Sequence, residues 1–235
     1  MTHPASLITI SRLACVSLTA AAACTVMTLA PTSDSTWAQT GVLATGCPHI
    51  SERRTELGCY TTAVEIIGEL PQLPLYWHLD NYPTRAAAEA AKQARGTVVE
   101  SLGKVWLFTI ADADWRPAGG ERTAKIGPLP LSSGGRFTAT YLEAITLPGF
   151  QTIVHRHPGP EALYMVSGQV CVETPRGKTV GEAGGQAVIL AGNEPMRLTD
   201  TGAEKRRSLV LVLHDSSQSA IIPASDWTPT GLCNR

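Results

Sequence analysis

The sequence predicts a mainly β protein whose short strands close into a sandwich or a small barrel. Its 235 residues include 21 Gly and 16 Pro, a composition typical of many short strands joined by tight turns. Only 17% of the residues are charged and 43% are apolar, which argues against a coiled coil and against a disordered chain. From residue 121 onward the chain alternates between β-prone runs and turn residues, the pattern of a sandwich or barrel. The length suits one domain or slightly more.

The charge balance argues against a polyanionic partner. Nineteen Lys and Arg face twenty Asp and Glu, for a formal net charge of −1. Nucleic-acid binding needs a basic footprint on the phosphate backbone. The short basic runs, Arg53-Arg54 and Lys205-Arg206-Arg207, are interpreted as solvated turns. We therefore expect no nucleic-acid partner.

Residues 1–38 are predicted to be a secretory signal peptide. Arg12 precedes the uncharged stretch 13–30, and Thr36-Trp37-Ala38 suits cleavage after Ala38. The alternatives are an uncleaved membrane anchor, for which the stretch is short and weakly apolar, and lipid modification of Cys24. The protein is thus expected to be secreted or periplasmic, with no stable membrane span after processing.

Four cysteines remain after such processing: Cys47, Cys59, Cys171 and Cys233. An even number in an oxidising compartment indicates up to two disulfides, with three connectivities. Pairing Cys47 with Cys59 closes a short loop, and Cys171 with Cys233 then ties the C-terminal tail to a strand. The alternative is that Cys171 is a buried thiol. The sequence contains no C-x-x-C pair, so it does not indicate a zinc ribbon or a thioredoxin-like site.

Residues 39–120 are predicted to form an N-terminal α+β segment. One helix is expected, with Thr84 as N-cap and Gly96 as its C-terminal stop, and an exposed i,i+4 pair between Arg85 and Glu89. A domain boundary is expected at residues 117–120, where Pro and Gly cluster. Strands are expected at residues 60–70, 73–82, 97–102 and 104–111. The aromatic residues of the segment are assigned to the core or a lid: Trp77, Trp106, Phe108 and Trp115.

Residues 121–215 are predicted to form the barrel, followed by a C-terminal tail at 216–235. Strands are expected at residues 137–147, 151–157, 161–167, 169–174, 186–190, 196–199 and 208–214. Gly and Pro pairs mark the turns between them.

Two histidines and a carboxylate within this region form a candidate metal site. Side chains two apart on a strand share a face, so His155 and His157 project together. A Pro-Gly-Pro turn then reverses the chain, and Glu161 begins the next strand beside them. This set provides three ligands and leaves open coordination positions for water or substrate. Leu163 and Met165 share the face of Glu161 and are predicted to be apolar walls of a substrate pocket.

The segment 149–168 matches the pattern G-x5-H-x-H-x3-E-x6-G at every fixed position. This pattern is similar to the first signature motif of the cupin superfamily. The resemblance covers about residues 121–215 and implies a cupin jelly-roll β-barrel, here with an N-terminal α+β extension that includes at most a degenerate partial cupin. It also implies a site in the barrel mouth, one divalent metal ion (Fe, Mn, Zn, Ni or Cu) and a homodimer.

The second cupin motif is present in spacing but altered in residues. Counting from Gly185, Ala191 stands for the usual Pro, Asn193 for Gly, Met196 for His and Asp200 for Asn. The resemblance therefore places Met196 at the fourth ligand position. Met196 could pack only, coordinate a soft metal, or mark a site that binds an organic ligand without metal. His214 or His78 could replace the missing ligand, although each is also interpretable as a strand-end histidine.

Three classes of function are consistent with these observations. The first is a metal-dependent enzyme acting on a small oxygen-bearing molecule as a dioxygenase (an oxidoreductase), decarboxylase or isomerase. The second is a non-catalytic cupin that binds or senses a small ligand. A third is a structural β-protein that keeps its metal for folding only.

Overall fold

The computed structural model describes residues 46–132 and 134–234. The predicted signal peptide lies outside the described residues. Among the residues described, no helix is both long and apolar enough to span a membrane.

The described residues form a mainly β structure with antiparallel sheets, as the sequence predicts. They contain one α-helix, α1 (Arg85–Ala91), and two short 3₁₀ turns, Ile50–Glu52 and Leu232–Asn234. The strands are β1 (Gly58–Glu69), β2 (Tyr76–Tyr82), β3 (Gly96–Ser101), β4 (Lys104–Ala111), β5 (Glu121–Ile126), β6 (Arg136–Thr146), β7 (His155–Arg156), β8 (Glu161–Ser167), β9 (Gln169–Thr174), β10 (Gly177–Glu182), β11 (Val188–Leu190), β12 (Arg197–Asp200), β13 (Arg206–Asp215) and β14 (Ile222–Pro223).

A five-stranded sheet, in the order β1-β6-β13-β8-β11, forms the middle layer of the molecule. One face packs against the three-stranded sheet β10-β9-β12, and together with the β7–β14 pair these strands make the barrel. The other face packs against a four-stranded sheet in the order β3-β4-β2-β5. The middle sheet is therefore covered on both sides, and its strands carry apolar residues on both faces.

Two apolar clusters fill the spaces between these layers. The outer cluster joins the four-stranded sheet to the middle sheet through large side chains that include Trp77, Phe108 and Tyr141. The Trp77 and Phe108 rings meet edge to face at 5.3 Å between centroids, a favoured aromatic arrangement. The inner cluster fills one part of the barrel: Leu163, Met165, Val170, Val172, Val188, Leu190, Met196, Leu198, Val210 and Val212.

Strand pairing does not follow the domain boundary predicted near Gly120. Strand β1 lies before that boundary but pairs with β6 of the barrel along its whole length, from Gly58↔Ile145 to Glu69↔Arg136. Strand β5 lies after it but pairs with β2 in the outer sheet. The four strands of the outer sheet form one open sheet, with none of the closure expected of a second barrel. The turn residues at 117–120 therefore connect strands of one sheet.

The helix begins as predicted and ends earlier. Thr84 is the N-cap, and its hydroxyl accepts a hydrogen bond from the Ala87 backbone N–H at 3.2 Å. The last helical residue is Ala91, and Gly96 is already the first residue of β3. The Arg95 carbonyl accepts a bond from the Ile110 backbone N–H, so pairing with β4 ends the helix before Gly96.

Two disulfides join Cys47 to Cys59 and Cys171 to Cys233. This is the pairing considered from the sequence, and Cys171 is not a free thiol. Disulfides of this kind are typical of proteins in an oxidising compartment. The second bridge ties the tail to β9, and β14 of the tail pairs with β7. The described part of the predicted tail, residues 216–234, is thus joined to the barrel strands β7 and β9.

Candidate functional site

The candidate metal-binding segment is held at both ends by backbone hydrogen bonds. His155 on β7 donates its N–H to the Met196 carbonyl at 3.1 Å, and its own carbonyl accepts from the Met196 N–H at 2.8 Å. The His157 carbonyl accepts from the Asn193 N–H at 2.7 Å. Glu161, the first residue of β8, lies between Leu190 and Val212 in the sheet register. These bonds fix the segment before any ligand is present.

The turn between the histidines and Glu161 needs glycine because two backbones meet there. A Cβ atom on Gly159 would lie 2.1 Å from the Leu213 carbonyl oxygen. A Cβ atom on Gly192, from the altered second motif, would lie 2.6 Å from the Gly159 Cα. The glycine pair therefore lets the two motif segments approach closely at the barrel mouth.

His155, His157 and Glu161 line a cavity of about 290 Å³ inside the barrel. All three are buried, and the cavity lies at the small end of the range for small-molecule sites. Its remaining walls are mostly apolar or hydroxyl-bearing: Gly46, Cys47, Cys59, Thr61, Val64, Thr140, Leu142, Ala144, Thr146, Phe150, Thr152, Leu198, Arg206, Val210, Val212, Ser219, Ala220 and Ile221.

Hydrogen bonds to carbonyl groups define the tautomers of the two histidines. Nδ1 of His155 lies 2.9 Å from the Ile153 carbonyl oxygen, and Nδ1 of His157 contacts the Ala220 carbonyl oxygen. Because a carbonyl can only accept, both Nδ1 atoms carry the hydrogen. Each Nε2 then keeps its lone pair, which is the arrangement of a metal-ligating imidazole with a fixed ring.

Burial keeps both imidazoles neutral. It lowers the pKa of His157 to about 4, although the Ala220 carbonyl opposes the shift. Burial also lowers the pKa of His155, with a further contribution from His157. Conversely, burial raises the pKa of Glu161 to about 7, against the opposing effects of His155 and Arg206. Strongly shifted neighbours of this kind are typical of functional sites.

Two lone-pair-bearing atoms face each other in this site without a hydrogen-bond partner. Nε2 of His157 lies 3.7 Å from Oε2 of Glu161. Both atoms are buried, and neither makes a hydrogen bond to a described residue. Since His157 is neutral at pH 7, the contact is not an ion pair. A buried acceptor without a donor is costly, and either a proton on Glu161 or a cation between the two atoms would relieve that cost.

The donor chemistry of the three residues fits a divalent metal. Two imidazole nitrogens and one carboxylate suit Fe, Mn, Zn, Ni or Cu, and the unpartnered Nε2 and Oε2 atoms are the atoms that would coordinate it. The described residues nevertheless contain no group of three or more His, Cys, Asp and Glu side chains arranged so that it could hold a metal ion. The site therefore has suitable ligands, which a metal would have to draw together.

A second polar cluster lies along the cavity wall at Arg206. The side chain of Arg206 is 3% exposed, and its Nε lies 2.7 Å from Oδ1 of the buried Asp200. Thr146 accepts from Nε at 3.1 Å and donates to Oδ2 of Asp200. Burial raises the pKa of Asp200, and Arg206 and Thr146 oppose this shift.

The comparisons with known proteins give structural likeness only. No family model matches the chain, and no curated protein matches it. Solved structures similar to part of it include a cupin domain from Bordetella pertussis Tohama I (15% identity, 36% of this chain and 88% of that chain, TM-score 0.28). They also include a cupin-like protein from Thermotoga maritima MSB8 (14%, 44% and 90%, TM-score 0.35) and the DMSP lyase DddQ from Ruegeria pomeroyi DSS-3 (16%, 37% and 43%, TM-score 0.32).

The order of strands and the position of the matched motif decide the fold. The motif residues lie on β7, the following turn and β8, at the mouth of an antiparallel barrel. The described strands form the antiparallel jelly-roll barrel that the sequence predicts. The barrel comprises two facing sheets, as in a jelly roll.

Three residues predicted to border the site pack in the apolar cluster beside it. Leu163 and Met165 do not line the cavity but are buried in the inner apolar cluster, because the side chains of β9, β11 and β12 close over them. Met196 pairs with His155 through the backbone, yet it packs in the same cluster and is not a cavity residue. Leu142, Leu198, Val210 and Val212 form the apolar walls instead.

Neither alternative histidine completes the site. His78 lies in the outer sheet, where its ring contacts the Asp112 carbonyl and the Arg122 guanidinium at 2.8 and 2.7 Å. His214 is close enough to His157 to lower its pKa, but its Nε2 lies 3.1 Å from the Thr140 hydroxyl. It does not line the cavity.

The sequence interpretation missed the Arg206 cluster and the tail. Arg206 was expected in a solvated turn but is buried, because it begins β13 on the same face as Val210 and Val212. The alternation of residues 206, 208, 210 and 212 could have indicated this. The tail contributes Ser219, Ala220 and Ile221 to the cavity, and no local pattern in the sequence indicates that contribution.

Proposed function

We propose that this protein is an exported cupin that binds a divalent metal in its barrel and acts on a small oxygen-bearing molecule. The observation that carries the proposal is the buried contact between His157 Nε2 and Glu161 Oε2 at 3.7 Å, in which both atoms lack a hydrogen-bond donor. Together with His155, these residues would hold the metal. The predicted signal peptide and the two disulfides support export.

The residues of the chain give the site three chemical properties. The imidazoles are neutral and oriented by carbonyl groups, so they can act as ligands without losing a proton. A pKa of about 7 allows Glu161 to hold or release a proton near neutral pH. The apolar walls exclude water and strengthen every polar contact inside. A bound metal would supply Lewis acidity toward substrate oxygens.

These properties suit dioxygenation, decarboxylation or isomerisation of a small molecule. The second candidate is a non-catalytic carrier or sensor of a small ligand. It is favoured by the absence, among the described residues, of a three-ligand group ready to hold a metal and by the burial of Met196 in the apolar cluster. A homodimer stays a prediction.

Elemental mass spectrometry on protein expressed with export tests the proposal. We expect about one metal per chain in the wild type and loss of the metal in His155→Ala/His157→Ala and in Glu161→Gln. The matched control is His214→Gln, which changes a neighbouring buried histidine that does not line the cavity and should keep the metal. If Met196 only packs, Met196→Leu should also leave the metal content unchanged.

Two results would count against the metal. Failure of the wild type to take up Fe, Mn, Zn, Ni or Cu on reconstitution would leave the small-ligand carrier as the better assignment. Uptake that survives in His155→Ala/His157→Ala would place the metal elsewhere in the chain. Substrate-dependent oxygen uptake or product formation then separates an enzyme from a carrier.

A further inference from the structure

Arg206 places a permanent positive charge on the wall of an otherwise mostly apolar cavity. Its side chain is 3% exposed, and burying a charge is expensive unless it is paired. Asp200, 2.7 Å away, provides that pairing. A pair with a purely structural role has no need to border a cavity, yet Arg206 is one of the cavity-lining residues.

The guanidinium retains donors that its neighbours in the protein do not use. Nε donates to the Thr146 hydroxyl at 3.1 Å, and Nη1 donates to the Ser208 hydroxyl at 3.0 Å. A guanidinium has five N–H groups in a fork, so three remain, one on Nη1 and two on Nη2. Nη2 makes no hydrogen bond to a described residue and is not among the fully buried atoms without partners. The edge formed by Nη1 and Nη2 is the part of the fork that can bind a carboxylate through two parallel bonds.

The register of the sheet places this edge and the histidine site along one wall. Residues 206, 208, 210 and 212 of β13 point to the same face, and they pair with Thr146, Ala144, Leu142 and Thr140 of β6. Val212 also pairs with Glu161 of β8. Six residues of strand separate the Cα atoms of Arg206 and Val212 by roughly 20 Å. The wall therefore runs from a cation, over Leu142 and Val210, to the carboxyl and imidazole groups.

We propose that the ligand of this cavity is a small carboxylate whose carboxylate group binds the Nη edge of Arg206. Its apolar stem would lie along Leu142, Leu198 and Val210, and its far end would meet His155, His157 and Glu161. This inference rests on the proposed function for the identity of the reacting end, but the anchoring by Arg206 is testable without it. Arg206 would act as a specificity-determining residue.

A matched pair of ligands tests the carboxylate anchor. Hexanoate and hexanamide share shape and apolar stem, and only hexanoate carries a charge at pH 8. Titration calorimetry on the metal-free mature protein should give hexanoate at least about tenfold tighter binding than hexanamide, since hydrogen bonds to a charged group exceed those to a neutral one. Equal binding of the two ligands would overturn the proposal.

Variants assign the preference to Arg206. The double change Arg206→Met/Asp200→Asn removes both buried charges, so that neither is left unpaired, and should abolish the preference. Arg206→Lys keeps the charge but loses the planar fork and should reduce the preference. Arg207→Met removes one charge from the neighbouring residue, which is half exposed and bonds to Glu56 at 2.7 Å. The Arg207→Met variant should show the same preference for hexanoate over hexanamide as the wild type.

The two proposals fail separately. His155→Ala/His157→Ala should lose the metal while keeping the preference for hexanoate. An unchanged preference in Arg206→Met/Asp200→Asn, with the fold intact by circular dichroism, would overturn the anchor even if the metal is confirmed. If the wild type bound no metal but still preferred hexanoate to hexanamide, the proposed metal site would be overturned and the Arg206 anchor would be supported.

Discussion

His78 is a buried histidine outside the cavity, and its two ring nitrogens are both occupied. Nε2 lies 2.8 Å from the Asp112 carbonyl oxygen, so it carries the hydrogen, and Nδ1 then accepts from Arg122 at 2.7 Å. Arg122 also bonds to the buried Asp80 at 2.6 Å. This cluster pins the loop after β4 to the outer sheet. In the cavity, by contrast, Nε2 of His157 has no such partner, which is the difference between a structural histidine and a candidate ligand.

Protonation of His78 should destabilise the fold below neutral pH. Burial lowers its pKa to about 4, against the opposing effect of the Asp112 carbonyl, while Arg122 adds to the shift. In the unfolded chain His78 therefore takes up a proton near pH 6.5, whereas in the folded chain it does so only near pH 4. Stability from this residue is present above pH 6.5 and is lost as the pH falls. Between pH 7.5 and 5 we expect a loss of about 2 kcal/mol.

Urea unfolding of His78→Gln measures this contribution. The variant should be less stable than the wild type at pH 7.5, because its amide cannot reproduce both ring contacts. Its disadvantage should shrink by about 2 kcal/mol at pH 5. Since His155 and His157 are present in both proteins, their contributions to the pH dependence of stability cancel in the difference. Parallel stability curves across this range would show that His78 is not the titrating group.

At the scale of residues, the sequence predicts a site wherever spacing alone decides which side chains meet. His155, His157 and Glu161 come together because two strands and one turn place them. Arg206 was misassigned because its neighbours Lys205 and Arg207 suggest a solvated turn, and only the pairing of β13 with β6 shows that it points inward. For Met196, the altered motif predicts a ligand position, but the packing of β12 decides its environment.

At the scale of elements, the C-terminal tail is the segment whose role differs most from its sequence. Its β14 pairs with β7, and Arg156 of β7 bonds to Asp226 of the tail. The Ala220 carbonyl fixes the ring of His157. Glu173 on β9 accepts three bonds from Thr230 and Gly231. The tail thus covers the histidine strand and helps to define its chemistry.

Removing the disulfide that anchors the tail should loosen this cover. Cys171→Ser/Cys233→Ser opens a loop of 62 residues, which should cost about 4 kcal/mol by the loop-entropy model. Cys47→Ser/Cys59→Ser opens a loop of 12 residues and should cost about 3 kcal/mol. Urea unfolding checks both values. Hydrogen exchange should rise over residues 216–234 and β7 in the first variant only. Unchanged exchange there would show that hydrogen bonds alone hold the tail.

Most elements were predictable from the sequence, and the exceptions have a common cause. Strands β6, β8, β9 and β13 carry β-prone runs bounded by turns, and the structure has strands there. The strands β5 and β10 were not predicted, because β5 is polar, β10 is polar and Gly-containing, and only pairing with β2 and β9 makes them strands. The helix was predicted too long for the same reason, since β4 captures the backbone at Arg95.

At the scale of the whole molecule, two groups of residues distant in sequence depend on each other. The middle sheet presents Tyr141, Leu209, Leu211 and Leu213 to the outer sheet, where they are almost completely buried. Strand β1 supplies one edge of the middle sheet and also cavity residues, among them Thr61. The Pro and Gly cluster at residues 117–120 predicts a boundary there. No local pattern indicates that β1, before this boundary, pairs with β6, or that β5, after it, pairs with β2.

This pairing of strands across the boundary predicts that the barrel region cannot fold alone. A chain of residues 121–235 would lose β1 and expose the apolar face that the outer sheet covers, an exposed surface of the kind that drives association. We expect it to bind a hydrophobic dye, to aggregate and to lack a cooperative thermal transition. The matched control is a chain of residues 46–235, which keeps all three layers and should unfold cooperatively. A soluble, monomeric 121–235 chain with a sharp transition would restore the boundary predicted from the sequence. Because β1 borders the cavity, we also expect the shorter chain to lose the difference in binding between hexanoate and hexanamide.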